Sequence, residues 1–418
     1  MAFSFIHTGD LHLDSPLAGL SAHGDARAEA IATAPRRAFQ ALVDTALDRG
    51  VDAVLIAGDL WDGSWSDVSA GLFVQRQAAR LREAGIATIA ILGNHDAQSR
   101  VTDRIRAIDA MTVLCAERPQ TVTVGPAKIH GMSFATPAVT ENLALKYPDA
   151  VPGAFNIGLL HTMLEGAEGH APYAPAKLTD LAAKGYDYFA LGHVHARAIL
   201  MAEPAGRGGT VAYCGVLQGR DVGEPGPKGA YHVRLAMGEP ADVTPIDFDY
   251  VLWATLKIPV ADDGSFRTAL DGALREAAEA RAAIVAVRIV LEGASAAHDR
   301  MIAQRADIVE KVLLAAEGAS DRLMVEKVVI DTRPRDPAPV ALPAGFEGFL
   351  ERAAADPALG AALGDVFDIV NAVPSGPARE RLRARLAGYT ALEDMRDATA
   401  LAAPAVRRLA ARLAERQS

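Results

Sequence analysis

Short apolar runs alternate with amphipathic segments over the first 248 residues of the chain. Helices are predicted at 34–49 and 69–84, where apolar residues recur at helical spacing. Strands are predicted where short apolar runs end in turn residues: 3–8, 53–57, 86–92, 121–124, 128–134, 156–160, 188–191, 211–214 and 230–235. Helices between the early strands and hairpins later predict an α/β (α+β) fold, built on a mixed sheet or two packed sheets with helices outside.

The pattern changes after residue 250. Strands are predicted at 253–260, 284–291 and 325–331, with helices at 265–281 and 296–316, which is typical of a small α/β domain spanning 251–334. The proline-rich segment RPRDPAPVALPAG at 333–345 predicts a linker. Residues 346–418 are predicted to be helical, and from 379 to 416 they carry nine arginines against five acids. We therefore predict three parts, 1–248, 251–334 and 346–418.

Length and composition narrow the class of protein. The 418 residues allow two or three domains, and a hydrophobic fraction of 50% indicates a globular chain. No apolar run is long enough to span a bilayer and no signal peptide is recognised, so we expect no membrane partner. Cys115 and Cys214 lack metal-ligand spacing, which favours a reducing cytoplasm.

The net charge of −10 argues against a surface coated with basic residues for nucleic acid. It leaves open a nucleic-acid enzyme whose metal ions and partner supply the positive charge. The chain contains no GxxxxGK[ST] motif, so it is not expected to be a P-loop ATPase by itself.

Polar side chains with ligand chemistry follow several predicted strands. GNHD at 93–96 comes directly after the strand at 86–92, and taken alone it would also suit a solvated turn. Similar stretches are GDLHLD, AGDLWDGS, LLHT and LGHVHA. The residues concerned are Asp10, His12, Asp59, Asp62, Asn94, His95, His161, His193 and His195. Because strand ends line the ligand crevice of open α/β sheets, we expect these side chains to converge.

The residue types in this set predict a metal site. In Asp-x-His and His-x-His, the side chains at i and i+2 leave extended backbone in the same direction and can reach one metal cluster. Carboxylates, imidazoles and an amide oxygen suit Mn²⁺, Fe or Zn²⁺ better than Ca²⁺. Seven of these nine groups, all except Asp62 and His95, exceed the needs of one ion but suit two ions that share a carboxylate, an arrangement used in phosphoryl displacement.

Histidines are concentrated in these motifs, which hold five of the eleven in the chain. A single strand histidine is usually structural, but that explanation would have to hold separately at five strand ends. The remaining six histidines are predicted to be structural or solvated: His7, His23, His130, His170, His232 and His298.

The ordered set GD-x-H, GD, GNHD, H and GH-x-H resembles the motifs of the calcineurin-like metallophosphoesterases. This resemblance implies two packed β-sheets flanked by helices, with a dimetal site at the strand ends. GDLHLDSPL, GDLWD and YCGVLQGRDVGEPGPKG at 213–229 resemble the bacterial DNA-repair exonucleases of the SbcD and YhaO type. The motifs cover roughly the first 235 residues. Beyond them, 251–334 resembles a capping domain by architecture, and 346–418 lies where those nucleases dock an SbcC-type ATPase.

The resemblance also implies a role for each matching residue. Asp10, His12 and His195 would hold the first metal ion. Asn94, His161 and His193 would hold the second, and Asp59 would bridge the two ions. His95 would lie beside the scissile phosphate as a transition-state stabiliser or proton donor. Some relatives place a histidine shortly after the bridging aspartate, whereas this chain has Asp62 in GDLWDGSW, so the role of Asp62 stays open.

The function expected from this resemblance is a DNA exo- or endonuclease in DNA repair, with two divalent ions. Mn²⁺ is the expected metal, with Fe or Zn²⁺ as alternatives, and the expected partners are DNA, an SbcC-type coiled-coil ATPase and a second copy of the chain. One alternative is a stand-alone phosphodiesterase or phosphatase on small nucleotides, although the capping domain and arginine-rich tail favour a nuclease. The other is a non-catalytic scaffold, against which the complete ligand set argues.

Overall fold

A computed structural model of the chain describes residues 2–15, 30–62, 68–98, 109–164 and 173–335. These residues form two compact units. The first comprises the residues up to 254 together with 280–286, and the second comprises 255–279 and 287–335. The predicted tail at 346–418, most of the predicted linker, His23 and His170 lie outside the described residues.

Fifteen strands occur in the described residues. They are β1 (Ala2–Thr8), β2 (Ala53–Ala57), β3 (Ala87–Ile91), β4 (Thr112–Val113), β5 (Gln120–Val124), β6 (Ala127–Gly131), β7 (Phe155–His161), β8 (Tyr188–Gly192), β9 (Ala198–Ala202), β10 (Thr210–Tyr213), β11 (Gly229–Ala236), β12 (Asp242–Asp247), β13 (Val251–Pro259), β14 (Ile284–Ser295) and β15 (Leu323–Pro334).

The same residues contain seven α-helices and two short 3₁₀ helices. The α-helices are α1 (Ala34–Arg49), α2 (Val68–Glu83), α3 (Asn94–Gln98), α4 (Leu178–Ala183), α5 (Asp263–Ala278), α6 (His298–Ala303) and α7 (Arg305–Ala319). The 3₁₀ helices are Leu143–Lys146 and Ala205–Arg207. None of the helices in the described parts of the chain is long and apolar enough to cross a membrane.

The first unit contains two six-stranded mixed sheets. The first sheet has the order β12-β11-β1-β2-β3-β4, in which β1 to β4 are parallel and β11 is antiparallel to β1. The second has the order β5-β6-β7-β8-β10-β9, with β6, β7, β8 and β10 parallel. Parallel neighbours point their carboxyl ends the same way, so the loops after these strands collect at one edge of each sheet.

The two sheets pack face to face and helices cover their outer faces. Alternate strand residues such as Phe5, Leu55 and Tyr188 meet in one core between the sheets. The intervening residues of β1 and β2 face outward, where Ile6 packs with Phe39 of α1. This is the predicted architecture of two packed β-sheets flanked by helices.

The second unit is a small α/β assembly. Its sheet has the order β13-β14-β15, and α5, α6 and α7 accompany it. Asp262 caps α5 by accepting the Ser265 backbone N–H at 2.9 Å, and the Ser265 hydroxyl lies 3.0 Å from the Asp262 backbone nitrogen. This reciprocal capping box explains why the helix begins at Asp263.

Several predicted elements differ from the observed ones. The helix predicted at 296–316 is interrupted at Gln304, whose φ of −99° and ψ of 36° are not helical. Edge strands β9 and β12 were not predicted, because β9 is largely exposed and β12 contains Pro245, so neither shows the pattern of an interior strand. The predicted linker start was wrong, since Arg333 and Pro334 belong to β15.

Candidate metal centre

The ligand-type residues stand where five parallel strands end. Asp10 and His12 follow β1, Asp59 follows β2, and Asn94 begins α3 just after β3. From the second sheet, His161 is the last residue of β7. His193 and His195 follow β8. Both sheets therefore contribute side chains to the same edge.

Hydrogen bonds donated by backbone N–H groups join the loops after β1, β2 and β8 to one another. The backbone N–H of Asp10 donates to Gly58 at 2.9 Å, and that of His12 donates to Asp59 at 3.1 Å. The carboxylate of Asp10 accepts the backbone N–H of His193 at 2.9 Å. Asp10 thus connects the first sheet to the second at the site.

One group of side chains consists of Asp10, His12 and His195, whose potential ligand atoms lie within 4.8 Å of one another. The Nε2 atoms of His12 and His195 face each other at 3.2 Å. The Nε2 atom of His195 is 4.0 Å from Asp10 Oδ1. Burial lowers the pKa of His12, so its imidazole is held neutral, the form in which histidine binds metals.

A second group forms around His161. Its Nε2 atom lies 2.9 Å from Asn94 Oδ1, and its Nδ1 atom donates to the Ala57 carbonyl at 2.8 Å. That bond leaves Nε2 to face the site, which is the usual orientation of a metal-binding histidine. The ring of His193 packs against that of His161, with centroids 5.1 Å apart.

Asp59 lies between the two groups. Its Oδ2 atom is 3.5 Å from His161 Nε2 and 4.0 Å from His12 Nε2. The carboxylate is buried, which alone would raise its pKa, but its histidine neighbours, with His161 foremost, and the backbone N–H of His95 together lower it. A buried carboxylate between two sets of imidazoles has the chemistry of a ligand shared by two cations.

His95 stands beside these groups with a different environment. Its backbone N–H donates to Asp59 Oδ1 at 2.9 Å, while its side chain is 36% exposed and so reaches solvent. The Nδ1 atom lies 2.7 Å from Asp62 Oδ1, and this hydrogen bond raises the pKa of His95. The ring is thereby oriented with Nε2 directed away from Asp62.

Asp62 and Asp96 hold the loops around His95. Asp62 also accepts the Ser15 hydroxyl at 2.5 Å. Asp96, the last residue of GNHD, is fully buried and accepts backbone N–H groups from both Leu60 and Gly93. Burial raises the pKa of Asp96 to about 7. Asp96 therefore joins the loops after β2 and β3 and is not the solvated turn residue that the motif alone would allow.

The structure brings together all eight predicted site residues, namely Asp10, His12, Asp59, Asn94, His95, His161, His193 and His195. Two neighbouring residues, Arg220 and Glu224, were not predicted. Glu224 accepts a hydrogen bond from His195 Nδ1 at 2.7 Å, and Arg220 bonds to Glu224. Both lie in the stretch 213–229, whose charged residues among glycines were the available signal.

The described histidines outside the motifs have structural partners. His7 is fully buried between the Tyr188 hydroxyl and the Leu191 carbonyl. His130 bonds to Thr121 and Asn156. His232 lies beside Arg49, and His298 beside Thr332.

Comparison with known families matches two regions of the chain. The profile described as calcineurin-like phosphoesterase matches residues 3–197. The profile described as metallophosphoesterase YhaO, middle domain, matches residues 253–333.

Two curated relatives illustrate the similarity. The uncharacterized metallophosphoesterase YhaO of Bacillus subtilis is 34% identical over 304 residues, which cover 69% of this chain and 72% of YhaO. The DNA double-strand break repair protein Mre11 of Sulfurisphaera tokodaii is 31% identical over 171 residues, covering 38% of this chain and 43% of Mre11. The alignment thus spans less than half of that Mre11 protein.

Among solved structures, the crystal structure of TT1561 of Thermus thermophilus is similar to 59% of this chain and 100% of that chain. The sequence identity is 14% and the TM-score is 0.35.

Proposed function

Since the chain belongs to the calcineurin-like metallophosphoesterases, a family of metal-dependent hydrolases, we propose that it cleaves phosphodiester bonds of DNA with two divalent ions. The observation that carries a two-ion site is the position of Asp59, whose carboxylate lies within 4.0 Å of an imidazole nitrogen from each ligand group. DNA as the substrate is supported by the relatives named as DNA double-strand break repair proteins.

In this proposal Asp10, His12 and His195 hold one ion, Asn94, His161 and His193 hold the other, and Asp59 is shared. These side chains fit such ions. The Nε2 atoms of His12 and His195 face each other, and each lies near a carboxylate, Asp59 for His12 and Asp10 for His195. Mn²⁺ is the proposed metal, since it accepts mixed oxygen and nitrogen ligands. When bound, the ions neutralise the phosphodiester and lower the pKa of a water molecule.

The chain's own residues position the substrate and move a proton. His95 is the proposed catalytic residue, because its ring is anchored at Nδ1 by Asp62, which leaves Nε2 uncommitted to Asp62, and its side chain is partly exposed. From there Nε2 can donate a hydrogen bond to a phosphate oxygen or a proton to the departing sugar oxygen. The backbone N–H of His95 meanwhile orients the shared carboxylate of Asp59.

We assign 1–248 as the catalytic domain, 251–334 as a capping domain and 346–418 as the region that docks an SbcC-type ATPase. The arginine-rich sequence at 379–416 supports a docking role. The two free thiols, Cys115 and Cys214, are compatible with a cytoplasmic location.

The test compares two substrate classes in the presence of Mn²⁺. Purified chain is incubated with linear and hairpin DNA, with and without the ATPase, and separately with a small aryl phosphodiester. We expect metal-dependent degradation of DNA that EDTA abolishes. Hydrolysis of the aryl phosphodiester with no DNA degradation under any condition would reject the nuclease in favour of a small-substrate phosphodiesterase. A chain inactive on both, yet binding metal, would favour the scaffold.

A further inference from the structure

A carboxylate outside the predicted ligand set contacts the metal centre through His195. Glu224 Oε1 lies 2.7 Å from His195 Nδ1, and because a carboxylate accepts, Nδ1 is the donor. The other ring nitrogen of His195, Nε2, faces His12 Nε2 at 3.2 Å. One side of the imidazole is thus occupied by Glu224 and the opposite side is directed into the ligand group.

Arg220 holds Glu224 from several directions. Its backbone N–H donates to Glu224 Oε2 at 2.9 Å, and its Nη2 donates to Glu224 Oε1 at 2.9 Å. The Glu224 side chain is only 14% exposed, so this charged pair is partly shielded from water. Such a contact restricts the rotamer of Glu224 more than an exposed ion pair would.

The same guanidinium reaches the other side of the site. Arg220 Nη1 lies 3.5 Å from Asp62 Oδ2, and Asp62 in turn bonds to His95 Nδ1. A chain of charged contacts therefore runs from His195 through Glu224, Arg220 and Asp62 to His95. It links one proposed metal ligand to the proposed catalytic residue without using a metal ion.

The loop that carries Arg220 and Glu224 is itself anchored. Buried Gln218 accepts the backbone N–H groups of Tyr250 and Val251 and donates to the Val251 carbonyl. The indole N–H of Trp253 donates to the Gly219 carbonyl at 2.8 Å. A Cβ atom at Gly219 would approach the Glu224 carbonyl to 2.9 Å, so this position favours glycine. These contacts fix the position of the loop and therefore the position of Glu224.

We propose that Glu224 and Arg220 are positioning residues of the metal centre. Glu224 accepts the Nδ1 proton of His195 and so presents Nε2 to a cation, while Arg220 fixes Glu224 and joins it to the Asp62–His95 pair. Metal-binding histidines commonly donate their second nitrogen to a carboxylate in this way. The inference rests on the proposed function, because it takes His195 as a ligand of one of two ions.

The test measures Mn²⁺ binding by calorimetric titration of the full chain. Wild type should bind two ions per chain. Glu224→Ala should weaken the ion held by His195 by roughly 10–100-fold, the usual cost of losing such a partner. The ion held by Asn94, His161 and His193 should change by about 2-fold or less, since Glu224 contacts none of its ligands. Glu224→Gln, which keeps the shape and an acceptor, should lose less affinity than Glu224→Ala.

Arg220→Met should show the same site-selective weakening to a smaller degree. Because it acts through Glu224, the double variant should bind Mn²⁺ no more weakly than Glu224→Ala alone. The matched control is Arg234→Met, which breaks an exposed arginine–carboxylate pair with Asp242 on the same unit and should leave both affinities unchanged. Loss of affinity equally at both sites would indicate general destabilisation and would overturn the inference.

A His195→Ala variant separates the two proposals. If His195→Ala lowers the affinity of one ion while Glu224→Ala and Glu224→Gln match wild type, the positioning role is rejected and the ligand assignment stands. If His195→Ala itself leaves both affinities unchanged, the proposed ligand set fails, and the inference fails with it. Should Glu224→Ala unfold, as shown by its thermal midpoint, Glu224→Gln provides the measurement, and unchanged Mn²⁺ affinities in Glu224→Gln would then overturn the inference.

Discussion

At the level of single residues, four of the gathered side chains stand on backbone with positive φ. The values are 47° for Asp10, 41° for His12, 51° for Asp59 and 99° for His193. Non-glycine residues rarely adopt this region, although aspartate and histidine do so more often than most, and each case costs on the order of 1–3 kcal/mol. Neighbouring loops hold these conformations through backbone hydrogen bonds such as that from Asp10 to Gly58. This backbone strain is compatible with a site in which the fold fixes the directions of the side chains.

His95 is expected to act on substrate without holding metal. Replacing it with alanine should lower turnover by roughly 100-fold or more, the typical worth of a positioned acid or electrostatic donor. Metal content should stay unchanged, because the contact from His95 to Asp59 comes from the backbone N–H, which alanine retains. Metal analysis and a phosphodiester assay check both points, with His232→Ala as the control. Loss of bound metal in His95→Ala would contradict the assignment.

Asp62 is expected to work through His95. Asp62→Asn keeps the size of the side chain but removes the charge from the 2.7 Å contact with His95 Nδ1. Turnover should fall roughly 10-fold, equivalent to about 1.4 kcal/mol. The double variant Asp62→Asn/His95→Ala should be no slower than His95→Ala alone, because Asp62 is expected to act only through His95. If the losses of turnover caused by the two substitutions instead multiply in the double variant, Asp62 acts separately from His95.

His7 should make folding sensitive to acid. Burial lowers its pKa from 6.5 to about 3, so between these values the unfolded chain binds a proton that the folded chain does not. The contribution of His7 to the free energy of unfolding is thus complete above pH 6.5 and is lost as the pH falls toward 3, by at most about 5 kcal/mol. In EDTA, the thermal midpoint of wild type should fall more steeply from about pH 7 to about pH 4 than that of His7→Gln. If the thermal midpoints of wild type and His7→Gln fall in parallel with pH, the expected role of His7 is contradicted.

At the level of elements, the strand ends depend on close approach of backbone and ligand. Gly93 follows β3, and a Cβ atom there would overlap Asp59 Oδ1 and come within 2.8 Å of His161 Cε1. At Gly192, the end of β8, a Cβ atom would overlap the carbonyl oxygen of Ala57. Glycine at these positions lets the ends of the two sheets meet closely enough to share ligands.

Gly93→Ala is therefore expected to disturb the metal centre directly. The added methyl group should displace Asp59 or His161, lowering Mn²⁺ affinity at least roughly 10-fold and costing about 1–3 kcal/mol of stability through overpacking. Titration calorimetry measures the affinity. Gly272→Ala is the matched control, because its Cβ would meet no atom within 4 Å and alanine favours helix α5 by up to about 1 kcal/mol. Wild-type Mn²⁺ affinity in Gly93→Ala would refute the expectation.

At the level of the whole molecule, the proposed ligands come from both sheets of one unit. Asp10, His12, Asp59 and Asn94 follow strands of the first sheet. In the second sheet, His161 ends β7, and His193 and His195 follow β8. The site is therefore complete only when both sheets have formed and packed. Metal bound to both groups should accordingly stabilise the folded first unit over its unfolded state.

The region at 346–418 is expected to be dispensable for chemistry and required for assembly. A chain ending at Arg335 should keep Mn²⁺-dependent hydrolysis of a small phosphodiester, because every proposed site residue precedes this point. The 418-residue chain is expected to co-purify with the proposed SbcC-type ATPase, whereas the shortened chain should not. Aggregation or loss of basal hydrolysis in the shortened chain would show that 346–418 belongs to the folded core, and the docking proposal would then fail.

The amino-acid sequence by itself determined the periodic elements and predicted the residues that meet at the strand ends. Strand β2 and helix α1 have the predicted bounds, because buried strands and amphipathic helices are encoded in the local spacing of apolar residues. Short motifs likewise pointed to the eight residues that the structure gathers at the strand ends, since each lies at the end of its strand or within a few positions after it. Edge strands β9 and β12 were not predicted, because exposed strands show little of the local spacing of apolar residues that marks a buried strand.

Only the tertiary structure decided which of these residues touch. Asp62 meets His95 and Glu224 meets His195 across separations of 33 and 29 positions in the sequence, and neither pair has a local signature. Sheet order and the packing of one sheet on the other bring them together, and both depend on contacts among distant residues. For the same reason the motifs left the role of Asp62 open, whereas a 2.7 Å contact with His95 gives it a partner.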